Sequence, residues 1–578
     1  MKRTTLGIFA FTALLLMTGM MISCQGETTT TQVTTTEVTN TDQTSLNTLT
    51  TTGENTDPVT SVSTRPEKTT ISFVGVQDSD ISILLNGLAA EGTGETFRKN
   101  RWTDLYLDQL NIEVVYEWIA LGWDNKREKL GLDLVAGDMA DCIMFDDIGM
   151  AIDTYEAGLT IGLQDLFAEH ASDLVKEYFA TPAAQNLLSL CTFDGELIAL
   201  PGIASDLVQS PMMFIRKDWL DNLGLGLPET RADVIEIIKA FRDDDPNQDG
   251  LKNTYGLGLT GNLVQYVGML NGFAEMYNGL PFIWYEGDEG LIEFGGVQEN
   301  AFLALEQLAE LYQGGYIDRE FITKTETMLN DDIANGKVGL VFAPEWLCWN
   351  AIKSSYIVNP QVEWVVLPVF DADGISKTIH SEVYARGYIA INKDFPHPEK
   401  IIQMINLYFD TVWGDQGNPE YYFANIQYDN LWHLSPIQFL NPIASNEHET
   451  MQGLISGVLN ESDVTSIQWA TYQIILKREN QETLTPSEYA LYMSTKTNAV
   501  KSLYFTDVET ITSWKLVLRT RTTIGNLQTD TYIQIIRGVT SEPARDAWNS
   551  YVSTWHSRGG TALLNEYNQW YSSLDSQE

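Results

Sequence analysis

Basic residues are scarce in this chain of 578 residues. It has 35 Lys and Arg against 78 Asp and Glu, which gives a formal net charge of −43 at pH 7. Proteins that bind nucleic acids or anionic lipid surfaces need a positively charged face. The composition therefore excludes both as natural partners. It favours a soluble, acidic domain that attracts cations.

Cysteines are few as well. The chain has four, Cys24, Cys142, Cys191 and Cys348, and their spacing fits neither a disulfide framework nor a zinc site. If Cys24 is modified, three remain, and the sequence leaves open whether two of them form a disulfide.

The common catalytic motifs are missing. The chain contains no HExxH, GxSxG or Walker sequence. Gly256–Gly261 reads GxGxxG, but it follows an acidic turn and lacks the context of a dinucleotide site. A pair of acids for glycoside hydrolysis remains an open alternative, because the distance between two carboxyl groups is a property of the folded chain. No residue is singled out as catalytic, and we expect a protein that is not an enzyme.

Only one stretch is both long and apolar. It runs from Leu6 to Ile22 after two basic residues, as is typical of a secretory signal peptide. Met21–Cys24 resembles the lipobox of bacterial lipoproteins, with Met21 at the position of the usual Leu. We expect residues 1–23 to be removed. The resemblance implies that Cys24 carries the lipid, palmitate included; an uncleaved membrane anchor is the alternative.

The residues after the apolar stretch indicate an anchored protein on the extracellular face of the membrane. No second stretch has the length of a membrane span, so the membrane contact is expected through the lipid anchor only. Residues 24–70 are rich in Thr and poor in core-forming side chains. Such a composition predicts a disordered tether.

Strands and helices are expected to alternate from Thr69 onward. Strands are predicted at Thr69–Val76, Ile112–Trp118 and Asp141–Asp146, with helices at Phe97–Leu110 and Asn125–Ala136 between them. This order is typical of an α/β lobe with a largely parallel sheet. Ligands of such sheets bind at the carboxyl ends of the strands.

Several segments resemble family 1 of the extracellular solute-binding proteins, in the order in which the family has them. They are Asp133–Asp141 (with Ala140 at a family Pro), Phe193–Pro201, Phe214–Leu225, Asn335–Leu340, Glu363–Pro368, His397–Lys400 and Pro543–Trp548. Within the family, the chain is most similar to large lipoproteins that bind alginate and other oligosaccharides. The resemblance implies a two-lobed α/β fold of the periplasmic-binding-protein type, with a hinge and a cleft between the lobes.

The resemblance also implies lobe boundaries, a function and partners. We expect a solute-binding domain over residues 71–578, with lobe 1 at about 71–205 and 345–415 and lobe 2 at about 206–344 and 416–578. The protein would be a monomer that captures an oligosaccharide and delivers it to the permease subunits of an ABC importer. A glycoside-cleaving lipoprotein and a binding protein for a non-sugar solute are the alternatives.

One acidic loop suggests a structural calcium site. Oxygen-bearing side chains alternate at Asp245, Asn247 and Asp249, and Gly250 and the Leu251 carbonyl follow. Calcium needs six to eight oxygen ligands, and an EF-hand loop begins with this spacing. The Glu that closes an EF-hand is absent. Related loops carry acids where this chain has Asn253 and Thr254, which we include among the predicted ligands. A solvated acidic turn is the alternative.

Aromatic and polar residues that follow predicted strands are the candidates for ligand contact. Sugar sites combine aromatic faces with a few fixed polar groups. The candidates are Trp123, Asp146, Asp206, Glu345, Trp346, Trp349 and Arg386. Trp219, Trp364 and Trp548 are instead predicted to be core residues.

Overall fold

The computed structural model describes residues 68–574, apart from 194, 204–209, 265–266, 288–289, 377, 383–384, 415–416, 422–430, 440–446, 465, 505–508, 514–520 and 541–542. The predicted signal peptide, Cys24 and Asp206 lie outside the described residues, as does the tether up to residue 67. The first strand already begins at Thr69, so the expected end of the tether at residue 70 is two residues late.

The strands, in chain order, are β1 Thr69–Gln77, β2 Ile112–Leu121, β3 Cys142–Phe145, β4 Thr192–Phe193, β5 Glu196–Leu197, β6 Leu200–Ile203, β7 Met212–Arg216, β8 Tyr255–Leu257, β9 Trp284–Glu286, β10 Ile292–Phe294, β11 Val338–Ala343, β12 Trp364–Leu367, β13 Thr378–Glu382, β14 Ala385–Ile391 and β15 Glu509–Ser513.

The α-helices are α1 Ser79–Ala90, α2 Arg101–Leu110, α3 Trp123–Ala136, α4 Ile148–Glu156, α5 Gln164–His170, α6 Asp173–Phe179, α7 Pro182–Leu190, α8 Lys217–Leu223, α9 Arg231–Asp243, α10 Leu270–Glu275, α11 Glu299–Gly314, α12 Glu326–Ala334, α13 Ala351–Val358, α14 Glu399–Trp413, α15 Glu447–Ile455, α16 Ser466–Glu479, α17 Pro486–Tyr504, α18 Arg521–Arg537, α19 Ala544–Trp555 and α20 Thr561–Leu574. Short 3-10 helices include Glu345–Trp349 and Leu431–Leu434.

A five-stranded sheet forms the centre of lobe 1. Its strand order is β2-β1-β3-β14-β6, in which β1, β2 and β3 run parallel and β14 runs antiparallel to both of its neighbours. Apolar runs place Ile71, Phe73 and Ile143 at full burial, as strands covered on both faces require. The three strands and two helices predicted for this part of the chain are confirmed.

A four-stranded sheet forms the centre of lobe 2. Its order is β12-β7-β11-β8, with β7 antiparallel to β12 and β11. Helix α9 packs beside it and begins with a capping box, in which Thr230 and Asp233 exchange hydrogen bonds. Trp219, Trp364 and Trp548 are buried, so their prediction as core residues is confirmed.

The expected lobe boundaries differ from the structure at two places. Residues 345–376 were assigned to lobe 1, yet β12 pairs with β7 in the sheet of lobe 2, and Leu347 and Ile352 lie in the core beside it. Residues 431–439 were assigned to lobe 2, yet Leu431 and Phe439 belong to the core of lobe 1. A strand takes its lobe from the sheet that satisfies its backbone, which sequence order alone does not specify.

Cys142, Cys191 and Cys348 are buried free thiols. Within the described residues, no helix combines the length and the apolar character that crossing a bilayer requires.

Candidate functional site

The carboxyl ends of the parallel strands in lobe 1 bring predicted site residues to one edge. Asp78 follows β1, Trp123 opens α3 two residues after the end of β2, and Asp146 follows β3. Because β14 runs antiparallel to β3, its first residues lie at the same edge, and they include Arg386. The structure therefore brings Trp123, Asp146 and Arg386 together, as expected for a sheet of this type.

Arg386 is held in place on three sides. Its guanidinium lies over the ring of Trp123 at 5.1 Å and over the ring of Trp432 at 5.4 Å. Its Nε donates a hydrogen bond to Oε1 of Gln438 at 3.0 Å. Cation–π contacts of this kind are worth about 0.5–2 kcal/mol each, depending on how much water they exclude. The side chain is half-buried, and its position is fixed before any ligand binds.

The side-chain amide of Gln438, which accepts the hydrogen bond from Arg386, is itself held in place by hydrogen bonds. Its Nε2 donates to the carbonyls of His433 and Ser435, at 2.9 and 3.2 Å, so its Oε1 is left to accept from Arg386. Gln438 belongs to residues 431–439, and this segment can pack closely against β6 because residue 202 is Gly. A Cβ there would lie 2.5 Å from the Gln438 carbonyl oxygen.

A buried lysine lies beside this arginine. The Nζ of Lys126 donates to the Met144 carbonyl at 2.7 Å and lies over the Trp123 ring at 4.9 Å. Burial lowers the pKa of Lys126 to about 8; the Asp146 carboxylate opposes this shift, and the Arg386 charge adds to it. We call Trp123, Lys126, Arg386, Trp432 and Gln438 the Arg386 cluster.

Asp146 belongs to the same edge and is already paired. Its Oδ2 accepts from Nε of Arg127 at 2.6 Å. Its Oδ1 is buried and makes no hydrogen bond within the described chain. Trp123 is committed as well, because its Nε1 donates to Asp78 and two cations lie over its ring. Trp123 therefore positions cations, which differs from the open aromatic face expected for sugar stacking.

The second group of candidates lies in lobe 2. Glu345, Trp346 and Trp349 are in the 3-10 helix that follows β11. Both tryptophans are half-buried and pack against the core beside β12. Glu345 forms an ion pair with Lys501 of α17. This contact gives Glu345 a structural partner within its own lobe.

One group of candidates lies at an edge of the lobe 1 sheet and the other at an edge of the lobe 2 sheet, and a single short stretch of chain connects these two edges. β6 ends at Ile203 in lobe 1, and β7 begins at Met212 in lobe 2. Met212 pairs with Ala343, the last residue of β11, so the 3-10 helix with Trp346 starts at that edge. Eight residues span at most about 28 Å when fully extended. Both groups therefore border the region where the lobes are connected.

Lys126, Trp432 and Gln438 were missed by sequence reasoning. A lysine in a helix with acidic and basic neighbours is typical of a solvated face, and nothing in its spacing indicates burial. Trp432 and Gln438 lie far along the chain from β14, so only the folded structure places them beside Arg386.

Part of the acidic loop brings oxygen-bearing side chains together, and these are Asp245, Asn247, Asp249 and Asn253. Asp245 has φ 51°, and its two carboxylate oxygens accept from the backbone N–H groups of Asp249 and Gly250. Oδ2 of Asp249 accepts from the amides of Asn247 and Asn253 at 3.0 and 2.7 Å. These hydrogen bonds lower the pKa of Asp249, the bond from Asn253 most of all.

Thr254 does not belong to that set. Its hydroxyl donates to the Phe241 carbonyl at 2.7 Å and is buried, because it caps the end of α9 instead of facing the loop. Thr254 as a ligand stays a prediction, and its hydroxyl proton is already donated to the Phe241 carbonyl. The remaining donors fit calcium in type, and the buried Oδ1 of Asn247 has no partner in the described chain. Within the described residues, no three His, Cys, Asp or Glu side chains group as metal ligands.

The fold agrees with a comparison of the sequence with known families. The sequence model described as "Bacterial extracellular solute-binding protein" matches residues 99–413, more than half of the chain. The chain belongs to this family. The matched part includes every strand of the five-stranded sheet except β1, and all four strands of the lobe 2 sheet.

Three curated relatives show partial similarity. The chain is 28% identical over 225 residues to the polygalacturonan/rhamnogalacturonan-binding protein YtcQ of Bacillus subtilis, covering 37% of this chain and 41% of that protein. Lipoprotein LipO of the same species is 26% identical over 220 residues, with the same coverage. The fructooligosaccharide ABC transporter substrate-binding protein FusA of Streptococcus pneumoniae is 26% identical over 263 residues, covering 42% and 47%. The chain thus matches less than half the length of these relatives.

Solved structures show the same two-lobed fold. FusA of S. pneumoniae in complex with kestose superimposes with a TM-score of 0.56 at 15% identity, covering 88% of this chain and 100% of that one. An EF-hand mutant of FusA with fructo-nystose gives 0.59 at 15%, with the same coverage. An HMO-binding solute-binding protein of Bifidobacterium longum infantis gives 0.59 at 17%, covering 87% and 98%. At these identities the comparison establishes the fold alone.

Proposed function

We propose that this protein reversibly captures an oligosaccharide outside the cell and delivers it to the permease of an ABC importer. It acts as a monomer that is held at the extracellular face of the membrane by a lipid on Cys24. The protein binds its ligand between the two lobes and leaves it chemically unchanged. Closure of the lobes is a hinge motion, which the ligand favours by contacting both of them.

The observation that carries this proposal is the position of the Arg386 cluster. It lies at the carboxyl ends of β1, β2 and β3, where α/β sheets bind ligands, in a chain that belongs to the extracellular solute-binding family. Trp346 and Trp349 follow β11, at the edge of the lobe 2 sheet where β7 begins. Aromatic side chains and fixed polar groups on two joined edges are the parts that a sugar site needs.

The names of the relatives support a sugar as the ligand. YtcQ is named for binding polygalacturonan and rhamnogalacturonan, and FusA for fructooligosaccharides. LipO is named a lipoprotein, which supports the proposed anchor on Cys24. A Cys24→Ser variant would lack the lipid, so we expect it to appear in the soluble fraction when the parent sediments with membranes. Equal sedimentation of both would count against the anchor.

A panel of oligosaccharides tests the function directly. We expect at least one sugar to bind saturably in calorimetry and to raise the melting temperature, and chromatography should recover it intact. Release of shorter sugars would replace the proposal with a glycoside-cleaving enzyme. Stabilisation by a peptide or polyamine, with no response to any sugar, would replace it with a binding protein for that solute.

Tryptophan variants locate the site on the two lobes. Trp346→Ala in lobe 2 should weaken sugar binding about tenfold, since an aromatic contact is worth about 1.5 kcal/mol. Trp123→Ala in lobe 1 should also weaken sugar binding, because the Trp123 ring holds Arg386 and Lys126 in place. Trp469→Ala is the matched control, because Trp469 is also half-buried but packs in the small cluster of α15 and α16. Equal affinities for all three variants would place the site elsewhere.

We also propose that the loop Asp245–Asn253 binds calcium in a structural role. Support comes from the two carboxylates, the amide oxygens and the Leu251 carbonyl gathered in one turn, and from a structural relative whose description names an EF-hand. Added Ca²⁺ should raise the melting temperature, and chelator should reverse this. Asp249→Asn should abolish the response, while Asp243→Asn, at the end of α9, should retain it. A melting temperature that changes with neither added Ca²⁺ nor chelator would refute this role.

A further inference from the structure

Cations concentrate at the proposed ligand edge of a protein that is otherwise strongly acidic. The chain carries a net charge of −43, yet Lys126, Arg127 and Arg386 lie together at the edge of the lobe 1 sheet. At physiological salt, charges more than about 8 Å apart are largely screened. A ligand at this edge therefore experiences the charges of the edge itself much more strongly than those of the distant acids. These local charges are the three cations and the acids beside them, Asp78, Asp124 and Asp146.

The acidic side chains Asp146 and Asp78 at the same edge already accept hydrogen bonds within the protein. Asp146 pairs with Arg127, and Asp78 accepts from Trp123 Nε1 and from the Ile81 N–H at the start of α1. Among the described residues, the hydrogen-bond partners of Lys126 and Arg386 are uncharged. Lys126 donates to a backbone carbonyl and Arg386 to an amide oxygen.

The positive charge of Lys126 is disfavoured at this position. Burial lowers the pKa of Lys126, and Arg386 and Arg127 lower it further against the opposing effect of Asp146. Burial likewise lowers the pKa of His433, and Arg386 adds to that shift, so His433 is neutral and offers no extra charge. A negative group that entered here would relieve repulsion that the free protein retains.

We propose that the Arg386 cluster binds the carboxylate of a uronic-acid unit, so that the ligands of this protein are acidic oligosaccharides. This inference rests on the function proposed above and assigns its substrate class. Arg386 is the specificity residue: its Nε and both ring contacts fix the guanidinium, while its two terminal nitrogens make no hydrogen bond within the described part of the chain.

A carboxylate suits these free donors better than a hydroxyl group or a sulfate. The planar guanidinium fork matches the two oxygens of a carboxylate, and such charge-assisted pairs are about twice as strong as neutral hydrogen bonds. A tetrahedral sulfate can also offer two oxygens to the fork, but it directs its other oxygens out of that plane, so it matches the planar fork less completely than a carboxylate does. Lys126, beside the arginine, supplies a second positive charge to the same group.

The test compares trigalacturonate with its methyl ester, which has the same sugar units without the negative charges. Calorimetry at 0.15 M NaCl should show the acid binding about 30-fold more tightly than the ester, as expected for one charge-assisted contact. Arg386→Gln should remove that preference, and Arg386→Lys, which retains the charge without the fork, should retain only part of it.

The control is Arg545→Gln in lobe 2. Arg545 is also half-exposed, lies over an aromatic ring, Phe302, at 3.7 Å, and is bonded to one side chain, Glu299. This variant should retain the full preference for the acid. The melting temperature of each variant shows whether the fold survives, and Arg386→Lys preserves the test if Arg386→Gln unfolds.

The outcomes separate this inference from the proposed function. Equal binding of acid and ester, unaffected by Arg386→Gln, overturns the carboxylate site and leaves sugar capture intact. Preference for a sulfated trisaccharide over trigalacturonate also overturns it. If no oligosaccharide binds, charged or neutral, the proposed function fails and the inference fails with it.

Discussion

Burial of an ionisable group is visible only in the folded chain, and Glu447 illustrates its consequence. Glu447 opens α15 and accepts a hydrogen bond from the amide of Asn498, with Glu345 and Lys501 nearby. Burial raises the pKa of Glu447 from 4.5 to about 7, and the Glu345 charge adds to the shift, while Lys501 and Asn498 oppose it. The folded protein therefore holds a proton that the unfolded chain releases between these two pH values.

Glu447→Gln should remove this pH dependence. A carboxyl whose pKa is higher in the folded state loses stability as pH rises from about 4.5 through 7. The variant should match the parent at pH 4.5 and exceed its free energy of unfolding by about 2 kcal/mol at pH 8, a value reduced for the half-buried position. The new amide can also donate to Oδ1 of Asn498, which is buried without a partner in the described chain. Urea denaturation at both pH values measures the difference.

Glu449→Gln is the control for this prediction. Glu449 lies two residues further along α15, but a hydrogen bond from Ser502 lowers its pKa. Its replacement should not gain stability as pH rises. If both variants show the same pH profile, the burial of Glu447 does not control it.

Side-chain roles were predictable from sequence where a strand or helix context determined them. Trp219 and Trp364 adjoin or lie within apolar strands of lobe 2, so their burial follows from the pattern. Thr254 was assigned by its spacing in a loop, but its hydroxyl bonds with Phe241, a helix end that the loop spacing does not indicate. Lys126 is the opposite case, because it is buried although its sequence context is typical of a solvated face. Charged residues are rarely buried without a partner, and the sequence around Lys126 does not indicate one.

At the scale of elements, the approach of the 431–439 segment to β6 determines the geometry of the Arg386 cluster. The segment contributes Trp432 and Gln438, and it packs close to Gly202 in β6. The strands themselves were predictable from apolar runs bounded by Gly and Asp. Their neighbours were not, because the pairing of β14 with β3 and β6 joins segments about 200 residues apart.

Gly202→Ala should displace that segment. The added Cβ would lie 2.5 Å from the Gln438 carbonyl oxygen and 3.5 Å from Cβ of Arg386, so the backbone must move. Overpacking of this kind costs about 1–3 kcal/mol in the free energy of unfolding. Ligand affinity should fall as well, because Gln438 would no longer hold the guanidinium. Denaturation and calorimetry measure the two effects.

Gly131→Ala provides the matched control on the same sheet edge. Gly131 lies within α3, and a Cβ there would meet no atom within 4 Å. The same substitution should stabilise the helix by about 0.5–1 kcal/mol and leave ligand binding unchanged. A Gly202→Ala protein as stable as Gly131→Ala would show that the segment adapts without cost.

At the scale of the whole molecule, the chain passes between the lobes more than once. It leaves lobe 1 after β6, returns between β12 and β14, and leaves again between Phe439 and α15. The resemblance to a known family predicted two lobes and a hinge, whereas the boundaries required the sheet pairing. β12 is followed in sequence by segments of lobe 1, but its backbone pairs with β7 of lobe 2.

Each lobe has its own apolar core, which predicts how the protein unfolds. The core around Phe73 and Tyr408 belongs to lobe 1, and the cores around Phe241 and Tyr489 belong to lobe 2. Among the apolar contacts of the described residues, Leu190 links the lobes by packing against Ile292 and Tyr567. Cores with so little shared surface should unfold separately, so calorimetry without ligand should show two overlapping transitions.

A ligand that contacts both lobes should merge these transitions. At a free concentration of 100 times Kd it stabilises the closed protein by about 2.7 kcal/mol, and neither lobe can unfold without releasing it. The Arg386→Gln protein at the same ligand concentration should retain two transitions, because its binding is weakened on the lobe 1 side. A single transition without ligand, with equal calorimetric and van't Hoff enthalpies, would show that the hinge segments already couple the lobes. Ligand that raises only one of two transitions would show that it is held by one lobe, and the bridging geometry would then be wrong.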